Sequence, residues 1–422
     1  MSGRRVVVTG LGAITPVGND VATTWRALLD GRSGGAPITR FDAEKFATRF
    51  ACEVKDFDAM RYMDRKEAKR ADLYTQYALA AAVQAMQDAG FGDGTGPGTG
   101  YVPEETGVII GSGIGGLRTM EEQHATYLAQ GPRRISPFFV PMFISDIAAG
   151  VVSMRFACKG PNYATVSACS TSAHAIGAAL RAIQYGEADV MLAGGSEAAV
   201  TPMAIGGFAS MGALSNRNDS PATASRPFDA TRDGFVLGEG AGVVVVESLE
   251  HALARGARIY GEVAGYAATG DAYHLTGQPE AHEGLQRSMR RALRDAGLAP
   301  GDVDYINAHG TSTPLNDPNE ARAIHAVFGE QTDKLAVSST KSATGHMLGA
   351  AGVVEFIACA LAIRDGVVPP TINHTTPDPD IPLDVTPNVP RPHRVRVALS
   401  NSSGFGGHNA TLALRSYEDG QG

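Results

Sequence analysis

Two stretches of this chain have a helical pattern yet offer water almost nothing. Residues 171–185 begin within the motif SACSTSAHAIG, and residues 351–363 read AGVVEFIACALAI. Both are small and apolar nearly all round, and a helix of that kind must be covered on every side. One lies early in the chain and one late. Together they fit two α/β layers packed back to back. Short Val/Ile-rich runs read as strands at 5–9, 106–111, 164–168, 188–193, 242–247, 305–308, 336–339 and 395–401. Helical patterns fall at 21–29, 69–89, 283–296 and 319–328. Continuous apolar strands between helices predict sheets covered on both faces, an α/β fold. The change-over near 250–265 divides the chain into halves 1–258 and 259–422. By eye the two are too dissimilar to establish a repeat.

A chain of 422 residues can bury a large core. Its 36 basic and 44 acidic residues give a net charge of −8. That argues against a nucleic-acid binder, which needs a basic surface. The apolar start, VVVTGLGAITPVG, is broken by glycines and reads as a first strand rather than a signal peptide. No apolar stretch approaches the ~20 residues that span a membrane. A cytoplasmic protein is expected. The four cysteines, 52, 158, 169 and 359, show neither disulfide-scaffold nor zinc spacing. No metal site is expected. Residues 90–104 are rich in Gly and Pro and read as a surface loop. Residues 112–150 read as an excursion forming a covered cap or an interface.

Four segments could carry chemistry. Cys169 follows the predicted strand 164–168 and opens a helix. Such a corner exposes a side chain, and the helix N-terminus favours a thiolate. His309 stands at the end of a strand, in NAHGTSTPLND, where imidazole suits acid–base or hydrogen-bonding work. Lys341 and His346 share TKSATGHMLGAAG, a setting where charged side chains are uncommon. Phe405 sits among the glycines of GFGGHN, which let the backbone approach a ligand. Cysteine, two histidines and a lysine suit thioester chemistry. A Cys–His pair alone would equally serve a hydrolase. GSGIGG at 111–116 lacks the spacing of a phosphate loop.

Taken in order, VVVTGLGAITPVG, GSGIGG, SACSTSAHAIG, RPFDATRDGFVLGEGAG, NAHGTSTPLND, TKSATGHMLGAAG and GFGGHN resemble the β-ketoacyl-acyl-carrier-protein synthases. The elongating synthase II type is nearest, with the ketosynthases of type II polyketide and polyene pathways close by. The resemblance implies a thiolase-type fold, two similar halves in a five-layer αβαβα sandwich, working as a dimer. It implies that Cys169 carries an acyl group as a thioester. His309 and His346 would act on the malonyl thioester, with Lys341 and Glu355 supporting them. The backbone N–H groups of Cys169 and Phe405 would form an oxyanion hole, with Phe405 also a gate. Thr311 and Thr313 would meet the phosphopantetheine arm of acyl carrier protein, and Ile114 would limit the acyl pocket. Arg65, Lys66, Lys69 and Arg70 would form a carrier-protein docking patch. No cofactor is implied beyond substrates tethered to that arm.

Three positions depart from the fatty-acid pattern. Ser403 replaces a usual Phe, Gly212 a frequent Arg, and Asp146 brings a charge to an apolar segment near the expected dimer contact. These leave two partners in view, a second copy of the chain or a chain-length-factor-like homologue. A non-catalytic chain-length factor is disfavoured by Cys169 and both histidines. A thiolase is disfavoured because GFGGHN lacks a second cysteine, and a Cys hydrolase because it needs only one histidine.

Overall fold

The computed structural model describes residues 3–95 and 100–418. Ten strands form one sheet. They are β1 (Val6–Ile14), β2 (Thr106–Gly111), β3 (Asn162–Tyr163), β4 (Val190–Glu197), β5 (Gly240–Ser248), β6 (Gly261–Gly270), β7 (Tyr305–Asn307), β8 (Ala336–Ser338), β9 (Val397–Gly404) and β10 (His408–Arg415). Their spatial order is β8-β7-β9-β10-β6-β1-β5-β4-β2-β3. Read from each outer edge inward, the two halves are the same: third, second, fourth, fifth and first strand. The pairings match too. The outer three strands of each half run parallel, and the two nearest the centre join antiparallel. The halves meet where Val7 and Val8 of β1 pair with Glu262 and Gly261 of β6.

Six helices complete the repeat: α1 (Leu73–Asp88), α2 (Ile147–Phe156), α3 (Thr171–Gln184), α4 (Glu283–Ala296), α5 (Asn316–Phe328) and α6 (Ala351–Asp365). Helices α1 and α2 cover the outer face of the first half; α4 and α5 cover the second. Helices α3 and α6 lie between, each touching strands of both halves and each other. This is the five-layer αβαβα sandwich. Small residues let the central helices close up. A Cβ on Gly352 would stand 3.2 Å from Ala173 on α3 and 2.9 Å from the Ser402 hydroxyl. Every α6 residue from Ala351 to Ala362 is buried, so its lack of a polar face follows from its position.

Some expectations change. The strand expected at 164–168 ends at Tyr163. Beyond it the Thr165 hydroxyl donates to the Thr171 carbonyl (2.8 Å), and the Ser167 N–H donates to the Thr171 hydroxyl (2.9 Å). These local bonds replace a sheet ladder. Strands β6 and β10 carry no Val/Ile run long enough to mark them, and the sequence reading missed both. The 112–150 excursion is largely helical, with Leu117–Gln130 ahead of α2. It is not covered within this chain, since Leu128 is 70% exposed. Of the 90–104 loop, residues 96–99 lie outside the described residues.

Candidate active site

The candidate residues collect where the parallel strands end, the usual place for a site in an α/β sheet. Cys169 lies between β3 and α3, and His346 holds the matching place between β8 and α6. His309 follows β7, and Phe405 tips the turn between β9 and β10. One cavity of about 450 Å³ joins them, lined by Cys169, His309, His346, Phe405, Ile114 and both threonines, 311 and 313.

Local backbone sets the nucleophile corner. Ala168 has φ +49°, a left-handed conformation that costs a non-glycine residue roughly 1–2 kcal/mol. In the second half Leu348 has φ +45° at the same place, opening the short turn that leads into α6. Strain of this kind persists only where the surroundings over-determine it. Here each strained residue precedes a buried central helix.

His346 Nε2 lies 2.9 Å from Cys169 Sγ. The Phe405 amide lies near that sulfur and favours its charged form. Cys169 is only 6% exposed. Burial pushes its thiol up to about 12, against the pull of Lys341's charge and the Phe405 amide. Desolvation thus opposes the pull of the helix N-terminus and favours the thiol over the thiolate. Burial, reinforced by Lys341, holds both histidines well below the ordinary imidazole range, so both are neutral. Their rings meet edge to face, with centroids 5.4 Å apart.

Lys341 is buried with Glu355, and the two are paired. Its Nζ also donates to the His309 carbonyl oxygen (2.6 Å) and faces His309 Nδ1 at 3.4 Å. An ammonium offers only donors, so Nδ1 must accept and the His309 proton sits on Nε2. The hydroxyls of Thr311 and Thr313 are 3.0 Å apart on the cavity wall. Ile114 donates its N–H to Glu197.

The sequence reading missed several polar residues. Glu197, fully buried, accepts from the Ser112 hydroxyl and the N–H groups of Gly113, Ile114 and Gly349. It thereby ties the loop after β2 to the turn before α6. Glu320 on α5 accepts the N–H groups of His309 and Gly310. Burial pushes both carboxyls up to about 7. Asn409 accepts from Ser403 and is bonded to His282 and Asp271. An acidic residue at the end of an apolar strand, as in MLAGGSE, was the available signal for Glu197.

The remaining candidates sit apart from the sulfur. Arg65 and Lys66 lie on the short helix Arg65–Ala68, with Lys69 and Arg70 just after it; all four are exposed. The Arg70 guanidinium stacks 4.3 Å from the centre of the Phe138 ring. Gly212 lines the cavity with φ +66°, and Asp146 is exposed before α2. Cys52, Cys158 and Cys359 are buried and free. Among the described residues no His/Cys/Asp/Glu group could hold a metal ion, and no helix is long and apolar enough to cross a membrane.

Residues 3–252 match the family model "Beta-ketoacyl synthase, N-terminal domain", and residues 260–375 match "Beta-ketoacyl synthase, C-terminal domain". The chain belongs to the β-ketoacyl synthase family. Within that family it is 53% identical over 415 residues to a 3-oxoacyl-acyl-carrier-protein synthase 2 of Synechocystis sp., covering 98% of this chain and 99% of the relative. A synthase 2 of Coxiella burnetii is 53% identical over 416 residues, with the same coverage. Among solved structures, the ishigamide ketosynthase/chain length factor superimposes with a TM-score of 0.91 at 40% identity. That match covers 99% of this β-ketoacyl synthase and all of the matched chain.

Proposed function

We propose that this protein joins an acyl group held on Cys169 to malonyl-acyl carrier protein, with loss of CO2, in type II fatty-acid elongation. The observation that carries the reading is a buried thiol 2.9 Å from one neutral histidine, with a second neutral histidine on the same cavity. The higher identity to synthase 2 relatives favours fatty-acid elongation. The likeness to the ishigamide ketosynthase keeps a polyketide or polyene pathway as the second reading.

In the first half-reaction Sγ attacks the carrier thioester. The new S–C bond forms as the pantetheine C–S bond breaks. The thiol proton passes to the leaving sulfur. The N–H groups of Cys169 and Phe405 receive the oxyanion. In the second half-reaction the malonyl thioester oxygen accepts from Nε2–H of His309 and from His346. The malonyl carboxylate leaves as CO2, and the remaining enolate carbon attacks the acyl carbon on Cys169. A C–C bond forms, the S–C bond breaks, and the departing thiolate takes up a proton from solvent. Neutral imidazoles suit this work, because a cationic one would surrender its proton to the enolate. Lys341, paired with Glu355, keeps His309 in the donating tautomer and in place.

Thr311 and Thr313 hold the pantetheine arm, Ile114 bounds the acyl chain, and Phe405 screens access. The exposed cations Arg65, Lys66, Lys69 and Arg70 take the acidic carrier protein. The halves divide at 258/259. Exposed Met154, Tyr163 and Val166, on α2 and on or beside edge strand β3, support a dimer with a second copy or a similar subunit. The protein works in the cytoplasm and needs no cofactor of its own.

His309→Ala tests the division of labour. It should still take an acyl group onto Cys169 but release no CO2 from malonyl carrier protein. Loss of acylation with decarboxylation retained would reverse the assigned roles.

A further inference from the structure

Ile114 and Leu348 line the cavity beside Cys169, one from each half of the chain. Neither lies on a strand or an α-helix. Ile114 stands between Gly113 and the pair Gly115 and Gly116, whose backbones lend the loop no stiffness. Leu348 holds the left-handed φ already noted, at the turn before α6. One side chain ties both segments down. Glu197, at the end of β4, is fully buried. Its Oε1 accepts the Ser112 hydroxyl (2.9 Å) and the Ile114 N–H (3.2 Å). Its Oε2 accepts the N–H groups of Gly113 (2.8 Å) and Gly349 (3.0 Å). Ser112 Oγ in turn accepts the Gly115 N–H (2.9 Å), which closes the loop around the carboxylate.

The junction has no slack. A Cβ on Gly349 would stand 2.5 Å from the Gly113 nitrogen and 2.8 Å from Glu197 Oε2. A Cβ on Gly113 would stand 2.8 Å from that same oxygen. Two glycines thus let amides from both halves converge on one oxygen. A buried carboxylate without donors is costly, so the four donors and the carboxylate hold one another in a single arrangement. Glutamine has the same shape and cannot do this. Its NH2 group replaces one oxygen and turns donors toward donors. Either Ile114, or Gly113 and Gly349 together, then lose their acceptor.

We infer that Glu197 is a positioning residue for acyl-chain selection: it fixes the Ile114 and Leu348 wall from behind and so limits the length of chain that Cys169 accepts. This rests on the reading that Ile114 bounds the acyl chain.

The test loads Cys169 from carrier protein bearing hexanoyl or dodecanoyl groups and follows each adduct by intact-protein mass spectrometry. The readout is the ratio of dodecanoyl to hexanoyl acylation rates. Any effect on the sulfur itself is shared by both donors and cancels. Ile114→Ala cuts back the wall directly and should raise the ratio. Glu197→Gln should raise it about three- to tenfold, the worth of one or two hydrogen bonds in placing the wall. Glu197→Gln with Ile114→Ala should add little to Ile114→Ala, because residues that act through one contact are not additive. Ser112→Ala removes one donor, keeps the carboxylate and should raise the ratio by a smaller factor. It decides the question on the same ratio if Glu197→Gln does not fold. An unchanged ratio in Glu197→Gln, even with a lower melting temperature, means that the carboxylate only stabilises the fold and overturns the inference. Fully multiplicative effects in the double variant overturn it too, since Glu197 would then act elsewhere. An unchanged ratio in Ile114→Ala overturns the reading beneath it, that Ile114 bounds the chain. Failure of the wild-type protein to take up any acyl group overturns the proposed function itself.

Discussion

Lys341 places its ammonium 2.6 Å from the carbonyl oxygen of His309 and 3.4 Å from that residue's Nδ1, while pairing with Glu355 at its back. One buried cation thus orients a ring, sets its tautomer and neutralises a carboxylate. Lys341→Met should leave the Glu355 charge uncompensated and cost about 3–5 kcal/mol of stability. Lys341→Met with Glu355→Gln should recover much of that stability without recovering CO2 release. Thermal melts and a decarboxylation assay check both parts. Recovery of full decarboxylation in the double variant would remove the lysine from the mechanism.

The hairpin that carries Phe405 touches the nucleophile corner without room to spare. A Cβ on Gly404 would stand 2.7 Å from the Ser167 carbonyl oxygen and 3.1 Å from the Cys169 nitrogen. Gly404→Ala should push the Phe405 amide away from the sulfur and slow acyl transfer about tenfold to a hundredfold, since small misplacements are costly in a site of this kind. Far-UV circular dichroism should stay that of the wild type. Wild-type acylation rates in the alanine variant would place the oxyanion hole elsewhere.

The thiol's high pKa gives a pH test with a definite sign. Raising the pH deprotonates a thiol, and only the thiolate is alkylated. With Cys169 pushed up to about 12, its alkylation by iodoacetamide should keep rising through pH 9.5. An unperturbed cysteine levels off above about 8.5. Peptide mapping isolates Cys169 from the three other cysteines. A plateau below pH 7 would mean that a thiolate–imidazolium pair is the resting state.

One buried carboxyl gives stability a pH dependence of definite sign. Glu197 is pushed up to about 7 from an ordinary value of 4.5. The folded protein therefore binds more protons than the unfolded chain between those two values. Its contribution is fully present below pH 4.5 and is lost as pH rises to about 7. Glu197→Gln should lower the melting temperature, because the amide returns two donors to a site built from donors. It should also shrink the fall in melting temperature between pH 5 and pH 7.5. An unchanged fall would show that this carboxyl does not titrate there.

The candidate set was legible because each member stands at a point where strand gives way to turn or helix. Small residues around Cys169, His309, Lys341 and His346 marked those points. The all-apolar helices α3 and α6 likewise declared their central place. What stayed hidden was relational. The repeat of the two halves is written in strand order and pairing, not in similar residues. Strand β6, GEVAGYAATG, is held by its neighbours β1 and β10 rather than by its own propensity. Glu197 and Glu320 act by accepting N–H groups, and Glu197 reaches donors 83 to 152 residues away. The burial of His282 against Asn409, 127 residues away, is likewise written only in the fold.

The central claim is that Cys169 takes up an acyl group and surrenders it to a decarboxylated malonyl unit. Intact-protein mass spectrometry after incubation with hexanoyl carrier protein, then with malonyl carrier protein, tests it most directly. A hexanoyl adduct is expected on the wild-type protein and none on Cys169→Ala. On adding malonyl carrier protein the adduct should vanish, and the carrier should bear a chain two carbons longer. An adduct that forms on Cys169→Ala, or one lost to free hexanoic acid with no lengthened chain, would contradict it.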